Sequence, residues 1–165
     1  MPKRRKPPAF YSPEALDPQH SVGWLAKRLL ASISLQVDRR LAGMDLTHAQ
    51  WIPLFRLSRG ECRTPSELTR ELQVDPGAVS RSLDRLEAKG LVRRVRSTED
   101  RRAVRLELTE EGQQAAALVP PVLADALNAH LAGFTRAEWE TLVGLLQRMV
   151  ANGDALREAR ADDEA

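Results

Sequence analysis

A short run of serines and arginines near the middle of the chain has the chemistry needed to hydrogen-bond to nucleic-acid bases and phosphates. Arginine presents a fork of donors that fits a guanine edge, and serine hydroxyls make short, adaptable contacts. The apolar residues of the same segment, at positions 79, 83 and 86, recur at helical spacing and predict a buried face. We expect the opposite, polar face to carry the contact residues. They are Ser80, Arg81, Ser82 and Arg85.

Two predicted helices joined by a three-residue turn hold this run in place. Thr64, Pro65 and Glu67 form a capping box with proline at the first helical position, and Asp75-Pro76 repeats the cap-then-proline signal. Gly90 is a natural helix stop. The pattern is a helix-turn-helix, whose second helix can enter the major groove of DNA. Ser66, in the first turn of the first helix, is a further expected DNA contact.

Two short strands after Gly90 predict a β-hairpin, or wing. In the second strand, Val104, Leu106 and Leu108 alternate with polar residues, as a half-buried strand requires. Arg96 ends the first strand, and we include it among the expected DNA contacts. The hairpin tip carries the sequence Asp100-Arg101-Arg102, which as an isolated feature is a charged turn.

Three segments, residues 84–92, 100–103 and 108–112, resemble the MarR family of bacterial transcriptional regulators. The resemblance implies a mainly α, α+β winged-helix fold and a homodimer that binds double-stranded DNA at a pseudo-palindromic operator. The single cysteine and the lack of a signal peptide predict a cytoplasmic protein. It also implies that a wing arginine, Arg101 or Arg102, enters the minor groove and that Asp100 orients it by a charge-assisted hydrogen bond.

The order of helices predicts one domain flanked by two tails. We assign residues 47–108 to the winged helix, and residues 17–43 and 109–153 to dimerisation helices. Residues 1–16 are a basic, proline-rich arm that either tracks DNA or is a solvated tail, and residues 154–165 are an acidic tail.

Local signals set the expected bounds of the outer helices. The first begins at Asp17-Pro18 and ends at Gly43, Pro120-Pro121 interrupts the second, and Asn152-Gly153 ends the last. Their apolar stripes either pack on each other within one subunit or form a dimer interface. We favour the dimer, because a DNA-binding protein with one recognition helix per subunit binds more tightly, and in a defined alignment, when a second subunit contacts a second half-site.

Charge is partitioned along the chain although the net charge is only +2. Residues 56–105 carry 13 Lys or Arg against 8 Asp or Glu, whereas residues 106–165 carry 4 against 11. This partition indicates one side that faces a polyanion and another that does not.

The resemblance also suggests a pocket for a small aromatic or phenolic acid between the dimerisation helices and the DNA-binding lobe. The alternative is that the aromatic residues belong to the core and the histidines to the surface or to helix caps. The candidate ligand-binding residues are Trp24, Arg28, His48, Trp51 and Phe55.

Other functional classes lack their sequence signatures. The His and Cys residues show no metal-ligand spacing, no cofactor motif is present, and no acid–base pair or nucleophile elbow can be recognised. No apolar run approaches a membrane span. The single cysteine, Cys62, excludes an intramolecular disulfide. We therefore expect a DNA-binding repressor that is not an enzyme, and the alternative is a winged-helix protein-interaction module.

Overall fold

A computed structural model describes residues 9–96 and 104–163 of the chain. Compact packing divides it into two units, Met1–Ala126 and Leu127–Ala165, which are described separately. The helices and strands are α1 (Val22–Arg40), α2 (His48–Ser58), α3 (Pro65–Leu72), α4 (Pro76–Ala88), β1 (Val92–Arg96), β2 (Val104–Leu108), α5 (Glu110–Ala117), α6 (Val119–His130) and α7 (Arg136–Asp163). No helix in these described ranges is long and apolar enough to cross a membrane.

Helix α1 starts later and ends earlier than the sequence predicts. Asp17 accepts a hydrogen bond from the backbone N–H of Gln19 and holds only a short 3₁₀ turn. The backbone is then extended at Ser21, whose hydroxyl caps α1 by accepting from Trp24 N. At the other end α1 gives way to a 3₁₀ turn, Ala42–Met44, that closes on a left-handed Asp45. The predicted bounds at Asp17-Pro18 and Gly43 were therefore wrong.

The core of the first unit lies beneath the helix-turn-helix. Leu54 of α2, Leu68 of α3, and Leu83 and Leu86 of α4 are completely buried. Full burial of a leucine side chain contributes about 1.5–3 kcal/mol. The buried face of α4 is the apolar stripe that the sequence predicts, so the rotation of this helix is fixed by its core residues.

The turn between α3 and α4 is held by local capping contacts. Thr64 and Glu67 form the predicted capping box, with the Thr64 hydroxyl accepting from Glu67 N and the Glu67 carboxylate accepting from Thr64 N. Gln73 adopts a left-handed conformation, and Asp75 caps α4 by accepting from Ala78 N at 3.1 Å. The predicted helix-turn-helix is confirmed, with a polar side chain at the start of each helix.

The two wing strands form an antiparallel ladder in which Val92 pairs with Leu108 and Arg96 pairs with Val104. The link before α3 contributes one backbone hydrogen bond, from Leu106 N to Arg63 O, at 2.8 Å. The link does not form a third strand, and the sheet of the described residues consists of β1 and β2.

The helical segment after the wing is interrupted just before its two prolines. Thr109 caps α5 by accepting from Gly112 N at 3.0 Å. Helix α5 ends at Ala117 and α6 begins at Val119. Pro120 and Pro121 thus occupy the first turn of α6, where their missing N–H groups leave no helical bond unmade. The predicted interruption is confirmed.

In the second unit, α7 continues through the predicted stop at Asn152-Gly153 as far as Asp163. Gly153 is not among the residues with positive φ, so it occupies an ordinary helical position and does not form a C-cap. An Arg157–Asp154 ion pair spans the next turn. Helical glycine costs about 1 kcal/mol relative to alanine, which the neighbouring alanine, leucine and arginine residues can offset. The predicted end of this helix was wrong.

Candidate nucleic-acid interface

The outward face of α4 presents a serine and two arginines to solvent. Ser80, Arg81 and Arg85 are all exposed, while Val79 on the opposite face is buried. An ideal Cβ added to Gly77 would lie 3.3 Å from Arg81 Nη1. The glycine therefore leaves room for the Arg81 guanidinium beside the first turn of the helix, the part that contacts base edges in helix-turn-helix proteins.

Ser82 does not belong to this face, which corrects the sequence-based assignment. Its exposed fraction is 6%, and its hydroxyl donates a hydrogen bond to Ala49 O of α2. Position 82 lies three residues after Val79 and four before Leu86, so helical geometry places it on the buried stripe. The small polar side chain ties the recognition helix to α2 and is not available to DNA.

Ser66 and Arg96 are both exposed, as a DNA contact requires. Ser66 lies in the first turn of α3 and, with Ser80, lines a shallow cavity of about 410 Å³ between α3, α4 and the sheet. Arg96 is the last residue of β1 and the last residue described before the gap at 97–103. Asp100, Arg101 and Arg102 lie outside the described residues.

An ion-pair cluster at the wing was missed by sequence reasoning. Arg94 of β1 donates from Nη2 to Asp84 at 2.7 Å and from Nη1 to Glu87 at 2.6 Å, and its backbone N–H donates to Glu87 at 3.1 Å. Partial burial by itself lowers the pKa of Arg94, but the hydrogen bonds to both carboxylates outweigh it and raise the pKa overall. The sequence signal for this cluster is the pair of acids at positions 84 and 87, which are three residues apart and so lie on one side of α4. In the strand that follows, Arg94 lies two residues after the buried Val92 and therefore faces the same way.

The C-terminal end of α4 is anchored from two directions. Lys89 donates to Asp45 O and pairs with the Asp45 carboxylate at 2.9 Å, which joins the helix to the segment before α2. Thr109 Oγ1 donates to Gly90 O at 2.6 Å. A Cβ on Gly112 would lie 1.9 Å from Leu91 O, so α5 approaches the chain after α4 at a distance that only glycine permits.

The predicted ligand-binding residues have different environments. Trp51 is buried and donates from Nε1 to Asp38 at 2.9 Å, and the His48 ring packs edge-on against it at 5.1 Å. Among the described residues, His48 Nδ1 has no hydrogen-bond partner although it is buried. Trp24 and Arg28 are exposed on α1. Of the five, only Phe55 lines a cavity of about 730 Å³ beside α2, so the five residues do not share it.

That cavity, of about 730 Å³, lies between the end of α2, the outer face of the wing sheet and the start of α6. An aromatic ring, aliphatic carbons and guanidinium groups share its wall, which suits a small molecule with an apolar body and an acidic group. Arg93 is already paired there with Glu107, at 2.6 Å. Its lining includes Phe55, Arg59, Arg93 and Glu107.

Cys62 is 3% exposed and belongs to the hydrophobic core. Burial raises the pKa of its thiol, and the carboxylates of Glu71 and Glu67 raise it further. A reactive cysteine needs the opposite environment, one that is accessible and electropositive enough to stabilise the thiolate.

We expect Cys62→Ser to leave DNA binding and its response to peroxide unchanged, because the thiol is buried and predominantly protonated at neutral pH. The measurement is fluorescence anisotropy on duplex DNA before and after a low dose of hydrogen peroxide. Release of DNA by peroxide in the wild type, lost in the variant alone, would contradict this assignment.

Within the described ranges, no group of three His, Cys, Asp or Glu side chains is arranged to hold a metal ion. The arrangement that remains is a polar helix face beside a hairpin, both mounted on one buried core. Such a surface can bind a polyanion by hydrogen bonds and charge, and it needs no cofactor to do so.

Comparison with known proteins identifies the family. A sequence model of the MarR family matches residues 44–103. The reduced form of MarR from E. coli is 30% identical with a TM-score of 0.69, covering 78% of this chain and 96% of that one. The transcriptional regulator PA3341 is 32% identical with a TM-score of 0.73, covering 82% and 99%. A mutant E. coli MarR complexed with operator DNA is 31% identical with a TM-score of 0.69, covering 78% and 92%. The chain therefore belongs to the MarR family of winged-helix transcriptional regulators.

Proposed function

We propose that this protein is a homodimeric, cytoplasmic repressor without catalytic activity that binds a specific double-stranded operator and leaves it when a small aromatic or phenolic acid binds. The observation that carries the DNA-binding part is the orientation of α4. Its apolar stripe is buried, so Ser80, Arg81 and Arg85 are displayed outward beside a basic wing. The mutant E. coli MarR complexed with operator DNA supports DNA binding by this chain.

The basic surplus of residues 56–105 supports the same proposal. A protein that neutralises DNA phosphates releases counterions, so its affinity falls steeply as salt rises. A winged helix that serves as a protein-interaction module would instead need an apolar or acidic face on α4. The exposed residues of this face include two arginines, which fits DNA better.

Fluorescence anisotropy on the DNA upstream of the protein's own gene tests the proposal, with a scrambled duplex of equal length as the control. We expect tighter binding to the natural sequence, by the 10³-fold or more that separates specific from non-specific sites. Equal affinity for both duplexes would contradict sequence-specific regulation at this site, and binding to neither would favour the interaction module.

The dimer is supported by exposed apolar residues on helices outside the winged helix. Within α1, the side chains of Trp24, Leu25, Leu29 and Leu30 are 45–57% exposed, and within α7, those of Leu145, Leu146, Met149 and Val150 are 41–62% exposed. Contiguous exposed apolar residues mark protein–protein contacts. A second copy of the chain is the occupant we propose, because two half-sites on DNA need two recognition helices.

We expect deletion of residues 135–165 to have two effects at once. The dimer should become a monomer, and tight operator binding should be lost. The double substitution Leu146→Glu and Val150→Glu should do the same without removing the helix, since it places charges on an apolar interface. The control is deletion of residues 159–165, which leaves the exposed apolar residues of α7 intact. Multi-angle light scattering measures the mass, and a dimeric Leu146→Glu/Val150→Glu variant would refute this interface.

The effector is proposed to bind the cavity beside α2, where Phe55 offers a ring for stacking and Arg59 a charge for a carboxylate. We propose this location in preference to the cluster predicted from sequence, because Trp51 and His48 pack against one another and Trp51 belongs to the core. A ligand changes operator affinity only if it binds one conformation of the protein better than the other.

We expect 4-hydroxybenzoate to weaken operator binding by about 5–150-fold at saturation, the usual range of allosteric coupling. Arg59→Ala should remove this response, whereas Arg28→Ala, on α1, should retain it. Anisotropy titrations with and without the acid measure the change. Thermal stabilisation without any change in operator affinity would contradict the coupling, and loss of the response only in Arg28→Ala would favour the sequence-based site.

A further inference from the structure

The cluster of Arg94, Asp84 and Glu87 joins two carboxylates of α4 to an arginine of the wing strand β1. Asp84 lies four residues after Ser80 and three after Arg81, so it shares their outward stripe. Its side chain is 59% exposed, against 28% for that of Arg94. An unpaired carboxylate in this position would repel the phosphates of any duplex that α4 approaches.

Arg94 uses both of its terminal nitrogens on these two acids. Nη2 bonds to Asp84 and Nη1 bonds to Glu87, while Arg94 N bonds to the other oxygen of Glu87. The three bonds join β1 directly to the recognition helix. They run from the strand face that also carries Leu106 and Val92, two residues of the core. Arg94 therefore fixes the position of the wing relative to α4.

We propose that Arg94 is a positioning residue for DNA reading and not a DNA contact. It holds the wing at a fixed angle to the recognition helix. Its positive charge also neutralises the carboxylates of Asp84 and Glu87, which reduces their repulsion of the DNA phosphates. This inference rests on the proposed DNA-binding function. It separates Arg94 from Arg81 and Arg85, which are exposed on the DNA-facing stripe and which we assign to direct contact.

The geometry makes the conservative substitution informative. Lysine keeps the positive charge but presents one ammonium in place of a planar fork, so it cannot reproduce the bonds that Arg94 makes from two nitrogens to two separate carboxylates. A residue that only attracts phosphates would tolerate Arg94→Lys. A residue that bridges Asp84 and Glu87 would not tolerate it.

The test compares wild type with Arg94→Lys, Arg94→Ala, and Arg94→Ala combined with Asp84→Asn and Glu87→Gln. Each protein is titrated on operator DNA at several salt concentrations. We expect Arg94→Ala to weaken binding by about tenfold and Arg94→Lys to weaken it nearly as much. The triple variant should regain part of the loss, because the repelling carboxylates are gone although the wing is still not anchored to α4. The slope of log affinity against log salt should stay close to that of wild type, since no phosphate contact is removed.

Three results would overturn the inference. They are full operator affinity in Arg94→Lys, no recovery in the triple variant, and a fall of about one unit in the salt slope for Arg94→Ala, which marks a lost phosphate contact. Circular dichroism of each variant distinguishes misfolding from weak binding, and a folded triple variant keeps the comparison valid if Arg94→Ala does not fold. Failure of the wild type itself to bind the operator would instead reject the proposed function.

Discussion

Gly112→Ala should be among the most destabilising single substitutions in this protein. The new methyl carbon would lie 1.9 Å from Leu91 O and 2.9 Å from Leu91 C, and both of these atoms belong to the backbone. Neither side can move freely, because Leu91 O accepts from Thr109 N and Leu91 N donates to Leu86 O. The clash must therefore disrupt either the start of α5 or the end of α4.

Overpacking of this kind costs about 3 kcal/mol or more when backbone must shift. For a chain of this length, that lowers the melting temperature by roughly 6–12 °C. We expect operator affinity to fall as well, since the damaged segment follows the recognition helix. Thermal unfolding by circular dichroism and anisotropy on operator DNA measure the two effects.

Gly153→Ala is the matched control, because Gly153 lies within α7 and a Cβ there would meet nothing within 4 Å. Alanine is the better helix former by roughly 0.5–1 kcal/mol, so this variant should be as stable as wild type or slightly more stable. A Gly112→Ala protein that melts at the wild-type temperature would show that the approach of α5 to Leu91 is looser than the structure indicates.

The helix-turn-helix could be predicted from sequence because its signals are local. A capping residue, a proline at the first helical position and a returning glutamate all lie within four residues, as at Thr64, Pro65 and Glu67. The same logic placed Asp75 at the start of α4. The apolar stripe of this helix then determined its buried face.

Three helix bounds failed, and two of them failed because the same local signals have more than one outcome. At Asp17 the cap-then-proline pair supports only one 3₁₀ turn, and α1 begins after a second capping residue, Ser21. At Asn152-Gly153 the sequence has a typical stop, but glycine forms one only when the chain adopts the left-handed conformation there. In α7 the helical path continues instead.

The parts of the site that were missed depend on contacts between distant segments. Ser82 was assigned to the wrong face because the polar stripe was drawn by residue type, although its spacing from Val79 places it inward. The Arg94 cluster needs the register of the hairpin, which the sequence does not specify. The cavity beside α2 needs the packing of three elements that are far apart in sequence.

Removing Arg81 and removing the wing arginines should impair DNA binding in different ways. Arg81 lies in the N-terminal half of α4, from which side chains reach base edges. A forked contact with guanine is worth about 1–3 kcal/mol of discrimination. Arg81→Ala should therefore weaken operator binding and reduce the preference for the operator over a mutated operator.

Arg101 and Arg102 follow β1 in the sequence and lie outside the described residues, and the resemblance to MarR proteins implies that one of them enters the minor groove. That groove is read mainly by its width and potential, because A·T and T·A pairs look alike there. Removing both arginines should weaken binding to every sequence and reduce the steepness of the salt dependence by about 1–2 units. Loss of some preference for A·T-rich flanks is consistent with this role.

The measurement is a salt titration of anisotropy for each variant on operator and scrambled DNA. Arg136→Ala is the control for net charge, because Arg136 is exposed at the start of α7 and pairs with Glu140 of the same helix. It should bind both duplexes as wild type does. If Arg81→Ala lost affinity equally on both DNAs while the wing variant lost it on the operator alone, Arg81 would be the general phosphate contact and the wing would be the sequence reader.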